Sequence, residues 1–413
     1  MKSFVIVQTG EPLRIDEGDS RPMRAENLAS ALATEGYHVH IVAPRFFHQT
    51  KRHRQGPFFI RYDSRVTYHL IDSPGYKTNI SAERFFDHFV LAIRTFAYLC
   101  KSGLRPCAIF IGYPPIDVSL AALIWAKLHG IESFLDVKDS WPSMFIEYLP
   151  SRYKWAVRLA LTPYYIMSFA CFRLSDNIVS MSVSYLGWVS SMSARKITND
   201  NSYLLPLIPP SMSRDESCDR NSCAELRNLA ISKPFFCFVG SLTNSFDFGL
   251  LKDAFVDASA KVDVNLIIAG SGAESDAVAA LFQDVPNVYL VGWIDSEDVR
   301  FIMSLSLCLV APYRPIQNFT MNIPNKIIDS MASGSTFLTS LPGEVAQLIE
   351  LHQCGLGCKH NYISWSQAMQ RIIDDQELRS LLKSNATNLY QSEYTFERTY
   401  SKFARKLSGV RST

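Results

Sequence analysis

The sequence predicts an α/β protein with two domains, each built on a doubly wound parallel sheet. One observation is a repeated alternation of short apolar runs with amphipathic stretches, a pattern typical of parallel sheets covered by helices. A second is the interruption of this alternation at residues 196–232, which are rich in Ser, Asn, Asp and Pro. The third is a length of 413 residues, enough for two domains of ordinary size. We therefore expect a first domain over 1–195, a linker region at 196–232, a second domain over 233–392 and a C-terminal helix over 393–413.

The composition excludes several classes of protein. It is 47% hydrophobic and 19% charged, as in globular proteins, and a formal net charge of +2 gives the whole molecule no basis for binding nucleic acid. Neither Cys218 with Cys223 nor Cys354 with Cys358 forms a CxxC pair, so we expect reduced thiols and no metal site. The N-terminal MKSFVIVQTG lacks the features of a secretion signal. We expect a cytoplasmic protein without a metal or other cofactor.

The N-terminal segment predicts a strand, a long polar loop, a helix and a second strand. Residues 4–9 form an apolar run, and Gly10 opens the loop. Ser20 suits a helix N-cap, apolar residues then recur on one face, and Gly36 ends the helix before the strand HVHIVA. The glycines do not form GxGxxG, so a dinucleotide-binding oxidoreductase is the weakest of the functional interpretations.

A basic and aromatic loop follows the second strand. Its basic residues are Arg45, His48, Lys51, Arg52, His53 and Arg54, and its aromatic residues are Phe46, Phe47, Phe58 and Phe59. Such a mixture can settle on an anionic bilayer or hold a lipid diphosphate. Single-stranded nucleic acid is bound by the same chemistry. A solvated loop whose phenylalanines turn inward is the third interpretation.

Two further stretches of the first half have informative patterns. One predicts a strand with a polar tip, and the other is amphipathic. Residues 132–142 predict a strand with a polar tip at Asp139, a place where a side chain serves a ligand or caps the following turn. Within 151–177 the uncharged part runs only over 159–172, which is too short to span a bilayer. We expect either a helix in the headgroup plane or a buried helix interrupted at Pro163.

The second half repeats the alternation of strands and helices. Gly240 and Ser241 follow one predicted strand, and Gly270 and Gly272 follow another. At such positions backbone N–H groups can face a diphosphate. The short GSG motif is by itself a weak signal.

A strand, a loop, a helix and another strand are predicted between residues 304 and 344. An apolar strand at 304–312 precedes the loop, Pro324 starts the helix, and TFLTS forms the second strand. Ligands of doubly wound sheets bind at the carboxyl ends of the strands. We therefore expect Lys326 and Asp329, early in the helix, and Glu344, after the second strand, to hold an anion or a sugar.

These motifs resemble the nucleotide-sugar signature of the retaining, two-domain GT-B glycosyltransferases of family four. The resemblance rests on Pro-x-Lys, two apolar residues, an acid, x-Met-Ala-x-Gly and a later Gly-Glu, which here are PNKIIDSMASG and GE. The run DVKDSWP similarly resembles the D-x-R-D-x-W-P motif of bacterial enzymes that build cell-surface polysaccharide. The order VGS, AGSG, VGWI, PNK and GE extends the resemblance over nearly the whole chain. It implies two Rossmann-like domains that face each other across a cleft.

The resemblance implies roles for individual residues. The implied donor-binding residues are Gly240, Ser241, Gly270, Gly272, Ile294, Pro324, Lys326, Asp329, Gly343 and Glu344. The implied catalytic residues are Asp139 and Lys326, and the implied acceptor-binding residues are Gly10, Arg21, Arg24 and Arg45. Asp139 would orient an acceptor hydroxyl or stabilise charge as the glycosidic bond breaks.

The chain departs from the family pattern at three positions and in one missing pair of basic residues. Asp329 replaces a Glu that commonly meets the ribose, Met321 replaces an earlier Glu, and Lys138 replaces an Arg. The family often places Arg and Lys soon after the first strand of the second domain, where this chain offers only Lys252. We therefore expect Lys326 to carry more of the donor diphosphate's charge.

The implied function is the transfer of a sugar, with retention, from a nucleotide diphosphate to a polyprenyl-diphosphate-linked acceptor in cell-surface polysaccharide biosynthesis. The expected partners are the nucleotide sugar, the lipid-linked acceptor and the anionic inner face of the cell membrane, but no nucleic acid. The last helix, predicted over 393–407, would cross back onto the first domain or meet the membrane. A catalytically weakened GT-B protein that acts as a non-enzymatic partner in an assembly complex is the alternative, because of Met321 and because of the missing basic residues after Gly240.

Overall fold

The computed structural model describes residues 2–16, 21–79, 81–147, 149–209, 223–260 and 262–409. The proposed N-cap Ser20 and the linker residues 210–222, which include Cys218, lie outside the described residues. The chain forms two compact units, Met1–Pro210 with Phe396–Thr413, and Ser211–Thr395. The boundary after residue 210 falls within the linker region placed at 196–232, and the end of the chain belongs to the first unit.

The first unit is a parallel sheet covered by helices. Its elements are β1 (Ser3–Val7), α1 (Arg24–Thr34), β2 (His38–Pro44), β3 (Phe46–Phe47), β4 (Arg52–His53), β5 (Phe59–Arg61), β6 (Val66–Ile71), α2 (Ala82–Lys101), β7 (Ala108–Tyr113), α3 (Ile116–Leu128), β8 (Glu132–Val137), α4 (Met144–Glu147), α5 (Ser151–Ala160), α6 (Thr162–Leu174), β9 (Asn177–Ser180), α7 (Val183–Ser193) and β10 (Ser202–Leu204). The strand order is β10-β9-β8-β7-β1-β2-β6-β5, with β5 antiparallel to β6. Strands β3 and β4 form a separate antiparallel hairpin.

The second unit has the same layered construction. Its elements are α8 (Cys223–Ser232), β11 (Phe235–Val239), α9 (Phe248–Ser259), β12 (Asn265–Ala269), α10 (Ser275–Phe282), β13 (Val288–Gly292), α11 (Ser296–Leu305), β14 (Leu309–Ala311), α12 (Gln317–Thr320), α13 (Asn325–Ala332), β15 (Phe337–Thr339), α14 (Glu344–His352), β16 (Leu356–Gly357), α15 (Tyr362–Asp374), α16 (Gln376–Leu389) and a π-helical turn (Tyr390–Tyr394). The parallel strand order is β13-β12-β11-β14-β15-β16. The central strands β11, β12, β14 and β15 are buried along their whole length, because helices cover both faces.

The strand predicted at 304–312 is shorter than expected. Helix α11 continues to Leu305, and β14 covers only Leu309–Ala311. The Asp295 carboxylate accepts hydrogen bonds from two backbone N–H groups at the start of α11, and Ile302 and Met303 lie on its buried side. The first two residues of the run, Ser304 and Leu305, therefore belong to a capped helix and not to the strand.

The C-terminal segment also differs from the single helix predicted over 393–407. Thr395 has an extended backbone that interrupts it, and a π-helical turn (Glu397–Ser401) precedes α17 (Lys402–Gly409). The Phe403 ring lies 5.1 Å from the ring of Tyr203. The Tyr37 hydroxyl donates to the Leu407 carbonyl at 3.5 Å. The apolar side of α17 therefore packs on the first unit.

Two helices occupy the amphipathic stretch 151–177. Pro163 lies in the first turn of α6, so it begins a new helix where the sequence suggested an interruption. Helix α6 buries Ser168, Cys171 and Phe172, whereas α5 buries no residue. Among the described residues, no helix combines the length and the apolar character needed to cross a membrane.

Candidate active site

The order of strands in the second unit defines where a ligand can bind. Numbered from β11, the order is 3-2-1-4-5-6, the order of dinucleotide-binding sheets, and the chain reverses direction of winding between β11 and β14. The loops that follow these two strands are joined, because the Arg314 N–H donates to the Ser245 carbonyl at 2.9 Å. Phe246 also pairs with Tyr313 across an isolated bridge. The crevice at the carboxyl ends of β11 and β14 is therefore the expected ligand site of this unit.

Two glycines after β12 are required by close backbone packing. A Cβ on Gly270 would collide with the Gly240 carbonyl, and a Cβ on Gly272 would collide with the Leu242 carbonyl. The N–H groups of Gly240 and Gly270 donate to the carbonyls of neighbouring strands, and Gly272 N–H donates to the Ser275 hydroxyl at 2.8 Å. These three N–H groups therefore do not face a diphosphate, which corrects the sequence-based interpretation. Donor binding by the glycines stays a prediction, which now depends on the close approach of the two loops.

Lys326 places a positive charge at the carboxyl end of β11. Its side chain reaches from the first turn of α13 to Gly240, where a Cβ would collide with the Lys326 ammonium. The Nζ atom lies 5.1 Å from the ring centre of Phe238 and 5.0 Å from that of Phe246. A cation held over two aromatic faces is electrostatically favourable. The structure thus brings Lys326 to the loop where the sequence lacks the family's basic residues.

Asp329 and Glu344 each lie close enough to a tyrosine to affect its pKa. Burial, and then the nearby charge of Asp329, raise the pKa of the Tyr313 hydroxyl well above its usual range. Burial is also the main cause of the raised pKa of Tyr394, and Glu344 is among the charges that add to it. Both carboxylates are half-buried. Their contacts with a donor ribose or sugar stay predictions.

The remaining predicted donor-site residues occupy the loops around this crevice. Pro324 is the buried N-cap residue of α13, and Ser241 is exposed directly after Gly240. A Cβ on Gly343 would collide with the Thr320 carbonyl, so the PGE turn packs tightly on the end of α12. Ile294 follows β13 and packs against the core of the second unit. The structure places these residues without testing their contacts with a donor.

Arg24 is buried in an ion pair and is not presented to an acceptor. Its guanidinium binds the Asp136 carboxylate, and the two side chains are 2% and 0% exposed. Next to this pair, the Lys138 ammonium binds Glu11 at 2.5 Å, and Glu11 accepts the Ala25 N–H at 3.0 Å. Burial would raise the pKa of Glu11, but the charge and hydrogen bond of Lys138 hold it below its usual value. These contacts argue against the predicted contact of Arg24 with an acceptor. They indicate that Arg24 instead holds α1 against β8.

The other predicted acceptor residues lie near the surface of the first unit. Arg45 is half-buried; its Nε atom donates to the Arg54 carbonyl at 2.9 Å, and its guanidinium lies over the Phe58 ring. It therefore shapes the basic loop. Gly10 is exposed and has a φ of 79°, and Arg21 is half-buried just before α1. Acceptor binding by Gly10, Arg21 and Arg45 stays a prediction.

Asp139 lies beside a set of residues that the sequence analysis did not single out. It is half-buried just beyond β8, and its charge acts on Arg84 of α2. The Arg84 guanidinium lies 4.9 Å from the Trp141 ring and 5.5 Å from the Tyr76 ring. His88, one turn along α2, lies 5.9 Å from Trp141. The spacing of Arg84 and His88 on one helical face was the available signal.

Within the ranges that the structure describes, no three His, Cys, Asp or Glu side chains are arranged to hold a metal ion.

Comparisons with known proteins identify the class. Residues 233–375 match the family described as "Glycosyl transferases group 1". Over 100% of both chains, the structure is similar to sucrose-phosphate synthase from Thermosynechococcus elongatus, with 17% identity and a TM-score of 0.74. HepE from Anabaena, in complex with UDP-glucose, gives 12% identity, 99% and 100% coverage and a TM-score of 0.63. WaaG, a glycosyltransferase involved in lipopolysaccharide biosynthesis, gives 14% identity, 98% and 100% coverage and a TM-score of 0.64.

No curated protein matches the chain. The solved structures establish the fold, which is the two-domain GT-B architecture. The family match establishes the class: the protein is a glycosyltransferase. The second unit carries its group 1 glycosyltransferase domain, and the match covers both the loop after β11 and helix α13.

Proposed function

We propose that the protein transfers a sugar from a nucleotide diphosphate sugar to a polyprenyl-diphosphate-linked saccharide, with retention of the anomeric configuration, in the biosynthesis of a cell-surface polysaccharide. The observation that carries the donor part is the position of the Lys326 ammonium at Gly240, at the carboxyl end of β11. The presence of UDP-glucose in the HepE complex supports this class of donor. The family resemblance of DVKDSWP supports the class of acceptor.

The donor half of the mechanism depends on charge. When the bond between the sugar and the diphosphate breaks, negative charge develops on the leaving diphosphate, and a fixed cation stabilises it. Lys326 provides that cation from the first turn of α13. Asp329 accepts hydrogen bonds from ribose hydroxyls, with a side chain one methylene shorter than the Glu of the family.

The acceptor half of the mechanism depends on position. Asp139 follows β8 at the carboxyl edge of the first sheet, where polar side chains serve ligands. Its carboxylate orients the acceptor hydroxyl, whose oxygen forms the new bond to the anomeric carbon while the bond to the diphosphate breaks and the hydroxyl proton passes to the leaving diphosphate. Burial lowers the pKa of Arg84, and the nearby charge of Asp139 acts against this lowering.

We also place the protein at the inner face of the cell membrane as a peripheral protein. Three helices of the first unit expose apolar side chains: Phe86, Phe89 and Ile93 on α2, Trp155 and Leu159 on α5, and Ile166 and Phe169 on α6. The Phe85 and Tyr164 rings, 5.2 Å apart, connect α2 to α6. Basic residues of α5 lie among these side chains, as at membrane surfaces.

The experiment for the proposed function has two parts. Nucleoside diphosphates are first compared for their ability to raise the unfolding temperature, because a ligand of the folded state stabilises it in proportion to the logarithm of its concentration. The preferred nucleotide then defines the donor, and transfer to a prenyl-diphosphate-linked saccharide is followed by product mass and anomeric NMR. Stabilisation by one nucleoside diphosphate and an α-linked product from an α-linked donor are expected. The proposal is wrong if no nucleoside diphosphate stabilises the folded protein.

A further inference from the structure

A basic cluster in the first unit has no ligand in the function described so far, although one member, Arg84, was described above as a charge close to Asp139. The cluster consists of His48, Lys51, Tyr76, Arg84 and His88, from the β3–β4 hairpin, the segment after β6 and the first turns of α2. The Lys51 ammonium lies 3.0 Å from His48 Nδ1, and the Tyr76 hydroxyl lies 2.5 Å from the same nitrogen. Lys51 and Arg84 both lie over the Tyr76 ring, at 4.5 and 5.5 Å. Two cations are thus held on one aromatic side chain.

Two buried nitrogen atoms of this cluster have no hydrogen-bond partner. They are Arg84 Nε and His88 Nδ1. His88 is only 4% exposed. A buried polar atom without a partner is unfavourable, and such an atom in a folded protein calls for a missing water, ion or ligand. Arg84 Nε can only donate, so its missing partner is a hydrogen-bond acceptor.

The cluster contains two cations, Lys51 and Arg84, and two carboxylates balance their charge in the absence of a ligand. Two carboxylates face it: Asp87, whose Oδ1 accepts the Gly75 N–H at 2.6 Å, and Asp139, whose charge acts on Arg84. Burial, followed by the charge of Arg84, lowers the pKa of Lys51. A group whose cationic form is disfavoured in this way is stabilised by an added negative charge.

The two histidines do not add positive charge at neutral pH. Burial, followed by the charges of Lys51 and Arg84, lowers the pKa of His48 to about 4. Burial, followed by the charges of Arg84 and His48, lowers that of His88 to about 3. Both side chains are therefore neutral hydrogen-bonding groups beside the two cations.

We propose that this cluster binds the phosphate ester of the acceptor, with Arg84 and Lys51 as the anion-binding residues and His88 as an additional hydrogen-bonding group. The proposal rests on the proposed function and deepens it. The cluster surrounds the carboxyl edge of the first sheet after β2, β6 and β8, and it adjoins Asp139, which orients the acceptor hydroxyl. Arg24, one of the cations expected at this site from the family resemblance, is fully buried in its ion pair with Asp136, and Arg45 bonds within the basic loop. Arg84 and Lys51 also bond to Asn79, but the Nε atom of Arg84 keeps no partner, and we place the anion there.

The test compares Arg84→Gln and Lys51→Gln with a matched control on the same helix, Arg94→Gln. Arg94 is exposed on α2 and pairs with Asp72 at 3.4 Å on the surface. The probes are inorganic pyrophosphate and farnesyl diphosphate, and the readout is the unfolding temperature as a function of probe concentration. Both cluster variants should bind the probes about tenfold or more weakly than the parent protein, the effect of losing a hydrogen bond to a charged group. Arg94→Gln should bind as the parent does.

A Lys326→Ala variant separates this site from the donor site, which also attracts a diphosphate. Stabilisation by the probes that persists in Lys326→Ala but is lost in Arg84→Gln supports the cluster. Stabilisation that is lost only in Lys326→Ala overturns it, as does equal probe affinity in Arg84→Gln and the parent. If Arg84→Gln does not fold, Lys51→Gln, at the edge of the cluster, decides the outcome in the same way.

The same experiment identifies which kind of molecule supplies the phosphate. It also shows which of the two proposals a negative result contradicts. Tighter binding of farnesyl diphosphate than of pyrophosphate assigns the cluster to a lipid headgroup, and equal binding assigns it to the phosphate alone. The response to the preferred nucleoside diphosphate is recorded for every variant. A parent protein that no nucleotide stabilises contradicts the proposed function. Intact nucleotide binding together with phosphate binding that is insensitive to Arg84 contradicts only the acceptor site.

Discussion

Lys326 is the residue whose place in the structure best matches the place that the sequence predicts for it. Pro324 fixes the start of α13, so Lys326 lies in its first turn, and the side chain extends over Phe238 and Phe246 to Gly240. The chain after Gly240 carries no arginine or lysine before Lys252. The position of one lysine therefore compensates for a basic pair that the local sequence lacks.

Replacement of Lys326 by alanine is expected to weaken the binding of nucleoside diphosphates. The loss should be about 1.5 to 3 kcal/mol, the contribution of a hydrogen bond to a charged group. Titration calorimetry with the preferred nucleotide measures the change, and Lys252→Ala, on α9, is the control that should bind normally. Unchanged affinity in a folded Lys326→Ala protein would falsify the assignment.

Asp329 is expected to act on turnover more than on stability. Asp329→Asn keeps the shape but loses the charge, and it should cost about 1 to 3 kcal/mol in transition-state stabilisation if the carboxylate accepts ribose hydrogen bonds. Asp329→Glu should remain active, because it restores the residue of the family. A carboxylate that only complements the start of a helix contributes about 0.3 to 1 kcal/mol, and to stability alone. Measurements of kcat/KM and of Tm on the same variants distinguish the two roles. An Asp329→Asn variant with a lower Tm but an unchanged kcat/KM contradicts the donor-site role.

At the scale of elements, strands β2 and β6 are joined by a histidine pair. His40 Nδ1 lies 2.9 Å from His69 Nε2, and the Tyr98 hydroxyl lies 2.6 Å from His69 Nδ1. Burial, followed by the charges of neighbouring histidines, lowers the pKa of both imidazoles to about 4. The folded protein therefore holds both rings neutral in a pH range where an unfolded chain binds protons.

This pair predicts a loss of stability in mild acid. Between the ordinary histidine value of 6.5 and about 4, the unfolded state binds more protons, so the free energy of unfolding falls as the pH falls. From pH 7 to pH 5 the pair should account for a decrease of about 1 to 3 kcal/mol. Urea unfolding at several pH values measures it, with His69→Gln as the variant whose pH slope should be smaller. An equal slope in the parent and in His69→Gln would show that the pair does not contribute.

At the scale of the whole molecule, three helices of the first unit expose large apolar side chains. Trp155 is 71% exposed, Leu159 68% and Phe86 60%. The basic loop exposes Phe58 and Phe59, but two of its arginines are engaged within the protein. Arg54 is bound to Asp16 at 2.5 Å with little exposure, and Arg45 contacts the loop itself. The membrane surface that we propose is therefore centred on α2, α5 and α6.

Binding to anionic vesicles should depend on both salt and these helices. Because exposed charges are screened within about 10 Å at 0.1 M salt, high salt should release at least part of the protein. Vesicle sedimentation of a Trp155→Gln, Leu159→Gln double variant should show weaker binding at every salt concentration. Leu351→Gln, which changes an equally exposed leucine on α14, is the control. Absence of binding to anionic vesicles at low salt would remove the membrane proposal.

Local sequence by itself determined the layered architecture and the helix at the donor site. The alternation of apolar runs and amphipathic stretches predicted both parallel sheets, because a buried strand and a one-sided helix leave distinct periodicities. Pro324 and Gly334 bounded α13 correctly, because their backbone preferences act within a few residues. At 304–312 the sequence suits both a strand and the end of a helix. There the capped helix α11 continues into residues that were predicted to form the strand.

Only the tertiary structure decided which charged residues face the sheet edges. Arg24 is paired with Asp136 across 112 positions of the chain, and it is therefore buried. Lys326 reaches Gly240, and Arg84 lies against Trp141, through contacts between elements that are distant in sequence. Periodicity shows which face of an element is buried but not which partner lies against it. A charged side chain can be buried only where an opposite charge lies beside it. In this protein the two charges come from distant segments, so only the folded chain brings them together.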